Sequence, residues 1–136
     1  MSAFSTFDIA GSALGTSQFW LDTIGHNLAN LNTVRPGDEE PFRAHMVVAQ
    51  EIRGLNASQG RGVAVTAVVE QGGDAPRIFD PENPMADEDG YVVHPVVDLG
   101  GQMTDLIIAQ RSYQANLQVV SEAREAYQSA LRIGRG

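Results

Sequence analysis

The chain has 136 residues, 43% of them hydrophobic, and a formal net charge of −8 in which all nine basic residues are arginine. That size suits one small domain, or a small domain with an extended helical part, and the acidic balance argues against nucleic-acid binding and against anionic membrane surfaces, both of which draw affinity from clustered Lys and Arg. With no cysteine, disulfides, thiolate metal sites and a cysteine nucleophile are excluded.

Near the N-terminus, apolar or small residues recur at Phe7, Ala10, Leu14, Ser17, Leu21, Ile24, Leu28 and Leu31, the heptad spacing of an amphipathic helix. Ser5 and Asp8 are the candidates to cap it. Gly11, Gly15 and Gly25 lie inside the pattern, each worth about 1 kcal/mol less than Ala in a helix. This segment is therefore weak in isolation: either it breaks near Gly15, or its small residues admit other helices and it orders on assembly. No charged n-region with an apolar h-region is visible, and no run reaches the roughly 18–20 apolar residues of a membrane span. The expectation is a protein not integral to a membrane and not routed by a cleavable signal.

Asn27-Leu28-Ala29-Asn30-Leu31-Asn32-Thr33 should end the helix, because Asn favours turn conformations. Arg35 to Pro41 is a polar boundary punctuated by Pro and Gly. Beyond it the period changes: Phe42–Gln50 and Val63–Val69 read as strands around a loop at Asn56–Gly62, and Arg77–Phe79 and Tyr91–Val93 as two shorter ones. The whole insert is expected to be a small β module of three or four strands, marginal alone.

From Leu99 a second, longer heptad runs through Met103, Leu106, Gln110, Tyr113, Leu117, Val120, Arg124, Tyr127 and Leu131. Gln110 and Arg124 interrupt it; either they fix register as buried polar groups or the seam is rotated and they are solvated. The predicted fold class is α+β: long N- and C-terminal helices packed as a coiled-coil-like pair around a β-rich insert, divided as 1–33, 34–97 and 98–136.

Signals for chemistry are weak. Asp80-Pro81-Glu82-Asn83-Pro84-Met85-Ala86-Asp87-Glu88-Asp89-Gly90 is rich in carboxylates, yet aligning Gly90 with the glycine of a calcium loop puts Met85 at the first ligand position. His26, His45 and His94 lack metal-ligand spacing. Neither Gly60-Arg61-Gly62 nor Gly72-Gly73 continues into a phosphate-cradling loop, and no Ser lies in a Gly-x-Ser-x-Gly setting. No catalytic residue, metal or cofactor is expected, and the chain does not read as an enzyme.

Three stretches carry a resemblance. Phe7-Asp8-Ile9-Ala10-Gly11-Ser12-Ala13-Leu14 with Asn27–Thr33, then Ala109-Gln110-Arg111-Ser112-Tyr113-Gln114-Ala115-Asn116, are similar to the terminal signatures of bacterial flagellar rod and hook axial proteins. The middle, Asp80-Pro81-x-Asn83-Pro84-x-Ala86-Asp87-x-x-Gly90-Tyr91-Val92-x-x-Pro95, resembles the proximal-rod branch of that family. Departures are Phe42 where Tyr is usual, Val96 in a polar position, and Gln102 where the family carries Glu, which removes a charge pair.

The resemblance implies a structural subunit of the proximal rod in the flagellar basal body, polymerising by helix–helix packing into a hollow, torque-transmitting drive shaft. It implies partners: other copies of the chain, other rod proteins, the adaptor at the rod base and MS ring, and the flagellar type III export apparatus. It also implies a place in the periplasmic part of the basal body, reached without a cleavable signal. The subunit-interface residues expected on this reading are Phe7, Leu14, Leu21, Ile24 and Leu28 on the first helix and Asn27, Asn30, Asn32 and Thr33 at its end. On the second helix they are Leu106, Arg111, Tyr113, Asn116, Leu117 and Val120. The alternative is a cytoplasmic helical adaptor or export chaperone, which would have no reason to carry the Asp80–Pro95 signature.

Overall fold

The computed structural model of the chain describes residues 3–54 and 60–134, with side chains from Ser5. A first helix, α1, covers Ala3–Ala29, and a second, α2, covers Leu99–Ile133. Between them lie five strands: β1 (Arg35–Pro36), β2 (His45–Arg53), β3 (Gly60–Glu70), β4 (Arg77–Phe79) and β5 (Tyr91–Val93). The α+β class and both helices are as the heptads foretell. The strands form two sheets, one of three strands in the order β1-β5-β4 and one of two, β2-β3. Residues 56–59 of the expected loop lie outside the described residues, while Gly60, Arg61 and Gly62 already belong to β3.

Two local expectations fail at helix ends and strand starts. Ser5 and Asp8 lie inside α1 instead of ahead of it, so neither is its cap. β1 falls in a stretch that reads as a boundary; its pairing with β5 comes from tertiary structure, and Pro36 is tolerated because β1 is an edge strand. At α2 the start is clear: the Asp98 side chain accepts from Gly100 N at 3.1 Å, and the Asp98 carbonyl accepts from Gln102 N at 2.9 Å.

The chain groups into two compact units. One contains the residues up to Leu21, Val48–Ala67 and those from Ile107 onward. In it Ala10 and Ser17 of α1 and Ala109 of α2 are buried, and the Ser17 and Ser112 hydroxyls meet at 3.3 Å. Such small side chains let helix backbones approach. Ser12 donates to Ile9 O at 2.7 Å and accepts from Val63 N at 3.1 Å, tying α1 to β3. Gly62 adopts φ +111°, and a Cβ there would run into the Ser12 hydroxyl, so the strand needs glycine at this contact.

The other unit contains Asp22–Val47 and Val68–Leu106. Its sheet is antiparallel, with Arg35 opposite Val93, Ile78 opposite Val92 and Phe79 opposite Tyr91. The β-branched Val92 and Val93 of the central strand are buried with Ile24 and Ala44. Ala44 N donates to Val96 O at 3.0 Å and Val96 N to Phe42 O at 2.8 Å, fastening the entry to β2 beside the exit from β5.

The heptad on α1 is the face that packs: each of its eight positions is buried or half-buried. On α2 the expected seam is corrected. Gln102, Leu106, Ala109, Tyr113, Asn116, Val120 and Ala123 form the enclosed stripe, again at alternating spacings of four and three, whereas Leu99, Met103, Gln110, Leu117, Arg124, Tyr127 and Leu131 are exposed. The seam is rotated, and Gln110 and Arg124 are solvated. The physical reason is size and polarity: Ala109 and Ala123 are small and apolar enough to be enclosed, which Gln110 and Arg124, one position on, are not.

Candidate functional site

Within the second unit, a buried polar node joins α1, β2 and α2. Asn27 is fully enclosed; its Nδ2 donates to the Gln102 Oε1 and to the His45 carbonyl, both at 2.8 Å, while its Oδ1 accepts from His45 N at 2.8 Å. One amide thus satisfies three groups, the condition for burying a polar side chain without penalty. Gln102, 7% exposed, takes this position without a charge. The contact that Gln102 makes here is an amide–amide bond.

Three residues on, Asn30 Nδ2 donates to His26 O at 2.9 Å and Asn30 Oδ1 accepts from Thr33 Oγ1 at 3.1 Å, closing the C-terminus of α1 where carbonyls lack helical partners. The signature asparagines therefore act inside the chain: Asn27 staples and Asn30 caps. Beside them, His26, Phe42 and His45 form an aromatic cluster with centroids 5.3–5.8 Å apart, the two imidazoles stacked at 15°. With Arg35, Arg43 and Glu70 they line an open pocket of about 560 Å³. No group of three metal-ligating side chains occurs among the described residues.

The acidic loop is internally locked. Asp87 Oδ1 accepts from Tyr91 N at 2.7 Å and Asp89 N at 3.0 Å, and Oδ2 accepts from Arg77 Nη2 at 2.8 Å. The Tyr91 amide, then Arg77, hold this carboxyl below its ordinary value against the opposing effect of its desolvation. Asn83 bonds Asp80 and receives Met85 N, and Asp80 N donates to Gly90 O at 2.9 Å. Gly90, at φ +79°, lies where a Cβ would press on Phe79 and Pro81. Asp87 and Asp80 are thus committed to shaping the loop, in keeping with the failed calcium register.

Of the expected interface residues, Ile24 and Asn27 are buried, while Phe7, Leu14, Leu21, Leu28, Asn30, Thr33, Leu106, Tyr113, Asn116 and Val120 are half-buried. Asn32, Arg111 and Leu117 are exposed. Asn116 Nδ2 turns back to Ser112 O at 2.8 Å. Beyond this set, α2 leaves a second apolar face open to solvent at Met103, Ile107 and Leu117, which helical spacing brings together, and Ile108 and Leu131 are exposed elsewhere on the helix. In the first unit an open groove of about 530 Å³, lined by Thr6, Val119, Ala123 and Ala126 among others, runs between the helix ends. The sequence signal for that outer face was present, since Leu99, Met103 and Leu117 belong to the counted heptad.

The amino-acid sequence matches known proteins over its whole length. The flagellar basal-body rod protein FlgC of Salmonella typhimurium is 38% identical over 138 aligned residues, covering 99% of this chain and all of the relative. The chain belongs to the FlgC family. FlgC of Bacillus subtilis is 33% identical over 151 residues and that of Borreliella burgdorferi 30% over 152, both with essentially complete coverage. Residues 88–133 also match the family described as flagellar basal body rod FlgEFG protein C-terminal, a stretch that takes in the end of the acidic loop, β5 and the whole of α2. Among the described residues, no helix is long and apolar enough to cross a membrane.

Proposed function

We propose that this chain is a structural, non-enzymatic subunit of the proximal rod, polymerising through its terminal helices into the hollow shaft that transmits torque. The observation that carries this reading is the outer face of α2, where Met103, Ile107 and Leu117 remain exposed although the same helix already packs through another stripe. A helix with two apolar faces is built for two sets of neighbours. In the assembly, segments 1–33 and 98–136 form the helical wall and 34–97 its β-rich outer part. The exposed and half-buried members of the interface set expected above, with Leu117 and Arg111 foremost because they are exposed, supply the contacts to other copies, other rod proteins and the adaptor at the rod base, whereas Ile24 and Asn27 are buried and act within the chain. Export by the flagellar type III apparatus brings the subunit to the periplasmic rod.

Electron microscopy of a strain lacking only this gene tests the reading. Membrane rings that persist without rod, hook and filament, with all three restored by a plasmid copy, are expected. Complete flagella in the deletion strain, with the protein found only in cytosol, would overturn it in favour of a helical adaptor or export chaperone.

A further inference from the structure

We propose that the aromatic and acidic face around Phe79 docks the cationic, apolar end of α2 from a second copy of this chain. The proposal rests on the rod reading and names one contact within it. Phe79 stands on β4, an edge of the three-stranded sheet, and is 61% exposed, with Ile78, Met85 and Tyr91 exposed near it in sequence or across the sheet. Its ring meets Tyr91 edge-on at 5.2 Å, and the Arg77 guanidinium covers the Tyr91 ring at 4.6 Å. The bonds of Asp87 and Asn83 fix the loop beneath, so the surface is preorganised and little further ordering opposes binding.

Charge selects the occupant. Asp87 is committed to Arg77, but Glu82, Glu88 and Asp89 are exposed, giving an apolar face an anionic rim. The complementary surface is cationic and apolar, and the end of α2 has that character. After Glu125 the sequence holds no acidic residue while Arg132 and Arg135 follow, and Leu131, Arg132 and Ile133 are all exposed, Ile133 to 82%. An arginine set over an aromatic face beside carboxylates gains from both. β4, three residues long, offers little backbone for strand addition, so side chains do the recognising. Because the two surfaces differ, the contact is heterologous and joins copies in series.

Sedimentation of the full chain over a concentration series tests it. Wild type should self-associate, less so as salt rises. Phe79→Ala should weaken association by about tenfold. The double variant Glu82→Arg/Glu88→Arg and the variant Arg132→Glu should each weaken it by a similar factor, and mixing the two should restore it, since opposite charges then face each other again. A monomeric wild type, or association that ignores both charge reversals, overturns the contact. Should Phe79→Ala lose its native circular dichroism, the charge variants decide, as they alter only exposed side chains. Basal bodies purified from cells making each form separate the two readings. Wild type incorporated and charge reversal without effect removes the contact and keeps the rod subunit; wild type absent from basal bodies removes both.

Discussion

Asn27 and Gln102, seventy-five positions apart in the chain, share a buried hydrogen bond of 2.8 Å that holds the last turn of α1 against the first turn of α2. Both are amides, so the bond has one orientation and no charge to titrate. Replacing Asn27 by Ala would orphan the Gln102 oxygen and both backbone groups of His45. We expect Asn27→Ala to lower unfolding free energy by about 3 kcal/mol, and Asn30→Ala, which removes a more accessible cap, by about 1 kcal/mol. Urea denaturation of both variants checks the ranking; equal losses would refute the staple.

Leu117 belongs to the outer face of α2. Since it is exposed, Leu117→Asp should change the stability of the free chain by no more than about 0.5 kcal/mol while abolishing rod assembly. Swimming in soft agar, beside denaturation of the purified variant, reads the two effects separately. Normal motility would sink the second-face argument.

The acidic loop should respond to pH through Asp87. Its pKa in the folded chain lies below the ordinary 3.8, so the unfolded chain binds that proton more tightly. The stabilisation is therefore complete above about pH 4 and is lost as pH falls through the lower folded value. Asp87→Asn should be less stable than wild type at pH 7, with the gap narrowing at pH 3. Denaturation at both values decides; a gap that widens in acid would be the wrong sign.

Gly15 has nothing within 4 Å of where a Cβ would stand. Gly15→Ala should thus raise helix stability by about 1 kcal/mol in the free chain. If the small residue serves a neighbouring subunit, the same variant assembles poorly despite its stability, and melting temperature and motility should move in opposite directions. Gly62→Ala, in contrast, should destabilise by about 1–2 kcal/mol, because φ +111° and the Ser12 hydroxyl both oppose a side chain.

Much of this architecture is legible in the residues. The heptad from Leu99 marks the start of α2, and flanking Pro and Gly isolate β4 and β5 at their observed bounds. What periodicity leaves hidden is which apolar face turns inward. Counting large residues on α2 selects Met103 and Leu117 along with Leu106, Tyr113 and Val120, but packing keeps only the latter three and joins them with the small Ala109 and Ala123. Asn27 reads locally as a helix breaker, and only the fold brings it to Gln102. β1 is similarly invisible, since two residues including a proline carry no strand pattern until Val92 and Val93 lie beside them.

The outer face of α2 also sets a rule for handling the protein. A subunit that keeps Met103, Ile107 and Leu117 wet has a free-energy minimum that depends on how many copies surround it, so its stability has no single value apart from concentration. Dilute, it is a marginal helix pair with an oily flank; crowded, that flank becomes the cohesive surface of a polymer. The pool of unassembled chains must then stay below the concentration at which they would cohere before reaching their place.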